Sequence, residues 1–182
     1  KRQIGSLVKP FVVAAAIEED SRLHAGTLVR DEVVSIRDEQ GNVWSPKNYE
    51  KTEQGVVRLE NVIANSVNQA TVHLALGLGL DSILDRLGEY GIPVGSTKPP
   101  ATVLGVSEMS PYQVATRYQG LLNQGYLTPL KSVRTVVDDS GRELSRRSFE
   151  SSRFMMARAA VQVDHMMRVG AKVGTGRVFG ER

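Results

Sequence analysis

Apolar residues along the chain fall mostly into helical runs, interrupted by two short stretches of β alternation. Within "KPFVVAAAIEED" the run from Phe11 to Ile17 is apolar on every side, which predicts a helix buried all round with its first turn against the centre of the domain. Ser6 is placed to cap that helix, and Pro10 sits near its start, where a missing N–H does little harm. Further on, "RLENVIANSVNQATVHLALGLG" carries Leu59, Val62 and Ile63, pauses at the polar "NSVN", and resumes with Val72, Leu74, Ala75 and Leu76. Helical spacing broken by a polar kink accounts for it. "LDSILDRLGEYGI" predicts a short amphipathic helix ended at Gly88 or Gly91, and "SPYQVATRYQGLLNQG" one capped by Ser110, with Pro111 in its first turn and Gly125 at its end. "SSRFMMARAAVQVDHMMRVGAKVG" predicts a last long helix whose methionines fill the core. The β signals are a hairpin in which Val33, Ser35 and Arg37 alternate, "DEQGN" turns and Val43–Trp44 returns, and a second in "SVRTVVDDSGRELSR" about an Asp-Ser-Gly turn.

At 182 residues and 41% apolar content the chain is long enough for one domain with a sizeable core, and it shows no repeat or low-complexity segment. The 23 Lys and Arg against 20 Asp and Glu leave a net charge of +3 over a mixed-sign surface, so no nucleic-acid partner is implied. There is no cysteine, which excludes a disulfide framework and a thiolate metal site and suits an oxidising compartment. His24, His73 and His165 lie far apart without ligand spacing and read as structural, so neither a metal nor a cofactor is expected. No signal peptide is visible, and no apolar run approaches the roughly 20 residues of a membrane span. The chain begins at Lys1 without an initiator methionine and reads as a piece of something longer.

Candidate chemistry begins at "IGSLVKP", where Ser6 precedes Lys9 by three residues. A Ser-x-x-Lys pair arises by chance about once in a chain of this length, and the plainer reading makes Ser6 a cap and Lys9 a solvated cation. In the sharper reading Ser6 is a nucleophile, which attacks a carbonyl usefully only if a base removes its proton, and Lys9 lies on the same helical face to do so. A basic lysine must be neutral near pH 7, and burial among apolar residues pushes its pKa in that direction. The backbone N–H of Ser6, at the helix N-terminus, can serve a developing oxyanion. Sixty residues on, Ser66-Val67-Asn68 interrupts the second helical stretch. A loop there can bring Ser66 over the pair as a proton shuttle and Asn68 as a group orienting Lys9 and a substrate amide. Gly174-Thr175-Gly176-Arg177 is a further short motif, which alone could be no more than a helix end.

Taken together, "GSLVKP", "WSPKNY", "SVNQATV" and "GTGR" resemble, in order and spacing over nearly the whole chain, the transpeptidase domain of a class A penicillin-binding protein. The resemblance implies an α+β fold of the penicillin-binding and serine β-lactamase kind, here mainly its helical part with short β-hairpins, residues 1–182 forming a partial transpeptidase domain. It implies Ser6 as the nucleophile acylated by a D-Ala-D-Ala stem peptide or a β-lactam, Lys9 as its base, and Ser66 and Asn68 as the second motif. Trp44, Asn48 and Thr175 are its candidate substrate-binding residues, although Trp44 also reads simply as the residue that closes a hairpin onto the core. Proteins of this kind are bifunctional, with a membrane anchor and a glycosyltransferase domain ahead. The expected partners are peptidoglycan stem peptides, a lipid-linked precursor, a lipoprotein activator and cell-division or elongation proteins, at the extracytoplasmic, periplasmic face of the bacterial inner membrane. No Lys-Thr-Gly is present, and family order places that motif beyond Arg182, with strands of the central sheet expected to lie outside both ends. A D,D-carboxypeptidase or β-lactamase with the same serine chemistry, and a noncatalytic helical binding module, are the alternatives.

Overall fold

The computed structural model describes residues 1–37, 40–50, 52–148 and 150–180. A two-residue strand, β1 (Arg2–Gln3), leads through a 3-10 turn at Gly5–Val8 directly into α1 (Lys9–Glu19). Every residue of α1 from Lys9 to Ile17 is buried, as its all-round apolar sequence predicts, and the rest of the chain is arranged about it. Next come β2 (Leu28–Asp31), β3 (Ile36–Arg37), β4 (Val43–Trp44) and β5 (Gly55–Arg58), then the helices α2 (Leu59–Ala64), α3 (Asn68–Leu78) and α4 (Leu80–Glu89). After a 3-10 turn at Pro100–Leu104 come β6 (Glu108–Met109), α5 (Pro111–Leu122), β7 (Tyr126–Leu127), β8 (Thr135–Val137), β9 (Glu143–Arg146) and β10 (Ser152–Arg153). The long α6 (Ala157–Val173) and the short α7 (Arg177–Gly180) close the described chain.

Helices α3, α4 and α6 pack on α1, and α2 lies along α6. Val12, Ala16, Val72, Leu84, Leu87, Val163 and Met166 share the resulting core. At its edge Phe11 meets Tyr118 edge-on at 5.2 Å between ring centroids, and Tyr90 meets Phe154 at 5.7 Å. Among the described residues the strands form five separate two-stranded antiparallel ladders: β1 with β6, β2 with β5, β3 with β4, β7 with β10, and β8 with β9. The result is the mixed α+β architecture expected, dominated by helices.

Several expected boundaries move. Ser6 does not cap α1: it lies inside the 3-10 turn, the capping position is Val8, and no side chain caps the helix. The turn makes a cap unnecessary there, since Lys9 N–H donates to the Ser6 carbonyl. The last helix starts at Ala157 and not at Ser151, because Ser152 and Arg153 are drawn into pairing with Leu127 and Tyr126. Ser110 does cap α5, in a reciprocal capping box with Gln113, but the helix ends at Leu122, short of Gly125. Helix α4 closes at Gly91, whose φ of +75° only glycine adopts freely. There Gly91 N–H reaches the Gly88 carbonyl and Ile92 N–H the Leu87 carbonyl. The first hairpin pairs Ile36 with Trp44 and Arg37 with Val43, while Asp38 and Glu39 of its turn lie outside the described residues.

Candidate active site

The kink between α2 and α3 is built like the end of α4, with a different residue at its pivot. Ser66 N–H donates to the Ile63 carbonyl and Val67 N–H to the Val62 carbonyl, the pair of bonds that closes a helix around one left-handed residue. Here that residue is Ser66, at φ +56°. Its conformation turns both its carbonyl and its hydroxyl toward the same point. Lys9 Nζ donates to the Ser66 carbonyl at 2.5 Å and to Ser66 Oγ at 2.9 Å. Its third bond goes to Asn68 Oδ1 at 2.6 Å, so the three N–H bonds of the ammonium meet three acceptors.

Ser66 Oγ in turn donates to Ser6 Oγ at 2.9 Å. Ser6 and the lysine expected to act on it directly are thus joined through the Ser66 hydroxyl. Ser6 is exposed and free to meet a ligand, whereas Lys9 is 2% exposed. Desolvation among the apolar residues of α1 brings the Lys9 amine down from 10.5 to about 8, so near neutrality its proton is held far less firmly than a surface lysine holds one.

Asn68 opens α3, and its Nδ2 donates to the Lys47 carbonyl at 2.8 Å. The residue at the capping position, Val67, has no side-chain acceptor to offer the first N–H groups of the helix. Asn48 supplies one from the loop after β4, its Oδ1 accepting from Asn68 N–H at 3.0 Å and Gln69 N–H at 3.1 Å. Asn48 Nδ2 donates to Asp31 Oδ1 at 2.7 Å and faces the Thr52 carbonyl and Gln69 Oε1 at 3.1 and 3.2 Å. Asp31 and Gln69 are buried and were not among the residues singled out by motif. A signal for Asp31 existed: it alternates with Val29 on the inward face of β2, and a carboxylate on the apolar face of a strand must have partners.

From the other side, the loop after α6 docks on the end of α2. Thr175 N–H donates to the Ala64 carbonyl at 2.9 Å, and its Oγ1 reaches the same oxygen at 3.3 Å. Gly174 is required by this approach, because a Cβ there would stand 2.1 Å from that oxygen. Ser6, Ser66, Asn68, Asn48, Thr175 and Arg177 line one open cleft of about 830 Å³. Trp44 is not among the residues lining it: half-buried, it packs against the hydrophobic core from the β3–β4 hairpin, in line with its reading as the residue that closes that hairpin. The remaining candidates are brought together from four separate parts of the chain.

The family model for the penicillin-binding protein transpeptidase domain matches residues 1–182. The chain is 36% identical over 177 residues to penicillin-binding protein 1B of Vibrio cholerae, covering 97% of this chain and 23% of that protein. To penicillin-binding protein 1B of Escherichia coli it is 31% identical over 185 residues, covering 100% of this chain and 22% of the relative. It therefore spans about a quarter of the length of these relatives. The fold superposes on penicillin-binding protein 1A of Haemophilus influenzae with a TM-score of 0.85 at 20% identity, over 96% of this chain and 30% of that one. It also superposes on the imipenem acyl-enzyme complex of penicillin-binding protein A from M. tuberculosis, with a TM-score of 0.80 at 18% identity, over 96% and 45%. By its matched family model and by its similarity to 1B proteins across nearly its full length, the chain belongs to the transpeptidase-domain family of penicillin-binding proteins, in the class A group.

Proposed function

We propose that the chain carries the nucleophile and proton-transfer machinery of a peptidoglycan D,D-transpeptidase, with Ser6 forming the acyl-enzyme. The observation that carries this reading is the unbroken sequence of contacts from Ser6 Oγ through Ser66 Oγ to the buried Lys9 amine. With Lys9 neutral, the hydrogen bonds along it reverse: Ser6 gives its proton to Ser66 as Ser66 gives its own to Lys9 Nζ. Ser6 Oγ attacks the carbonyl of the penultimate D-Ala of a stem peptide, and the C–N bond to the terminal D-Ala breaks as Lys9 returns the proton, through Ser66, to the leaving amine. An amine of a second stem peptide then attacks the ester, loses its proton to the same relay and restores the Ser6 hydroxyl. A β-lactam enters by the first half of this path, in keeping with the acyl-enzyme complex known for the M. tuberculosis relative.

On this reading the domain works beside a glycosyltransferase that uses a lipid-linked precursor, at the periplasmic face of the inner membrane, with a lipoprotein activator and division or elongation proteins as partners. Its support is the similarity to 1B proteins about four times longer than the matched segment. No helix among the described residues is long and apolar enough to cross a membrane. Intact-mass spectrometry and peptide mapping of the full-length protein after treatment with a β-lactam test the assignment. One adduct, on Ser6, is expected, and none in Ser6→Ala; an adduct on a peptide without Ser6 overturns it. A cross-linking assay with an amine acceptor separates transpeptidation from hydrolysis, since a carboxypeptidase yields only the shortened peptide.

A further inference from the structure

We propose that Asp31 and Asn48 form a buried strut that holds Asn68 in position for proton transfer at Lys9, a role that rests on the acyl-transfer reading above. The first two N–H groups of α3 have no local cap, and both are met by Asn48 Oδ1, 20 and 21 residues earlier in sequence. The other end of the same amide is fixed by Asp31, whose side chain is fully buried and whose second oxygen accepts from Gln54 N–H at 3.0 Å. The orientation of Asn48 is therefore forced: donors surround its oxygen, and acceptors from Asp31, Thr52 and Gln69 surround its nitrogen. Lys47, the residue before it, supplies the carbonyl that holds Asn68 Nδ2. One short stretch of loop thus grips Asn68 by its backbone and by its side chain, leaving Oδ1 aimed at Lys9 Nζ.

The effect on chemistry is indirect. Asn48 does not touch Lys9 or Ser6 through any of these bonds; it is a positioning residue that acts through Asn68, and Asp31 acts through Asn48. If the loop shifts, Lys9 loses one of its three acceptors, and its amine is held by the two Ser66 oxygens alone. Misplacement of a reacting group by about 1 Å costs on the order of a hundredfold in rate. The polarity of the pair matters as much as its presence. An aspartate at 48 would still cap α3, but it would face the Asp31 carboxylate across a 2.7 Å contact, and like charges that close cannot both stay ionised. Asparagine at 31 would relieve this by donating to the new carboxylate.

The test is a polarity swap with two readouts, rapid acylation kinetics with a chromogenic β-lactam and amide hydrogen exchange at residues 68 and 69. Asn48→Ala should lower the acylation rate constant by about 10- to 100-fold and expose the Asn68 and Gln69 amides to exchange. Asn48→Asp should acylate as poorly, while Asn48→Asp combined with Asp31→Asn should acylate at least about fivefold faster than Asn48→Asp alone. Two results overturn the strut: Asn48→Ala acylating at the parent rate, or a swapped pair no better than Asn48→Asp alone. If Asn48→Ala fails to fold, the swap decides. A parent protein that does not label at Ser6 overturns the acyl-transfer reading instead, and the exchange measurement still shows whether Asn48 holds the start of α3.

Discussion

The active-site kink and the β8–β9 hairpin are both rich in hydrogen bonds, yet they are held by opposite means. In the hairpin every polar bond is local: Asp138 accepts from Ser140 N–H at 3.0 Å and Arg142 N–H at 2.9 Å, and ion pairs join Arg142 to Asp138 and Arg146 to Glu143. The bond from Ser140 Oγ is the chief reason that the Asp138 carboxyl stays below its usual range. Val136, Val137 and Leu144 remain about half exposed. At the kink the decisive bonds span 57 to 60 residues; those of Lys9 are partly buried, and the Ser66–Ser6 bond lies open at the cleft. Local bonds survive without the rest of the fold, whereas those at the site exist only once α1, α2 and the Asn48 loop have been packed together. The hairpin should therefore tolerate change better than the site.

The largest departure between the two regions should come from Lys9→Arg. The guanidinium keeps the charge but does not become neutral near pH 7, so acylation should fall about a thousandfold or more while the circular dichroism spectrum stays that of the parent. Near-parental acylation would remove Lys9 from the base role. Gly174→Ala comes next, because its methyl group must displace the Ala64 carbonyl. It should cost about 2–3 kcal/mol in chemical denaturation, and Thr175 should move out of the cleft with it.

Proton linkage sharpens the same contrast. Below about 8 Lys9 carries its charge in both folded and unfolded chains, so folding bears the whole desolvation cost. From about 8 to 10.5 the folded chain gives up that proton while the unfolded chain keeps it. Stability relative to Lys9→Met should therefore rise with pH across that window, by up to about 3 kcal/mol, and acylation by the parent should rise through about pH 8. A flat difference between the two proteins would contradict the burial argument. The smallest effect belongs to the hairpin, where Val136→Thr should change stability by less than about 0.5 kcal/mol.

The same division between local and distant bonds decided what could be read from the sequence. The polar break at Ser66 to Asn68, the Ser110 cap and the Asp-Ser-Gly turn are each written within a few residues, and each stands where it was expected. The strands β1 and β6 pair across more than a hundred residues, and β2 pairs with β5 across the whole first hairpin. Nothing local marks such partners. The sequence around Asp31 marks its inward face but not its partners, because Asn48 and Gln54 arrive from elsewhere. Ser6 had the composition of a cap, but the 3-10 turn had already met the need a cap would serve.

Position 66 shows how narrow the choice of amino acid becomes when backbone shape and chemistry coincide. Glycine, the usual occupant of a left-handed helix end and the one found at residue 91, would relax φ but bring no hydroxyl to Lys9. Asparagine tolerates the conformation and likewise lacks the proton-carrying oxygen. Threonine has the hydroxyl, but its branched Cβ resists φ +56°. Of these four only serine satisfies both demands, so libraries randomised at residue 66 and selected for acylation should converge on the parental codon even where folding alone would favour glycine.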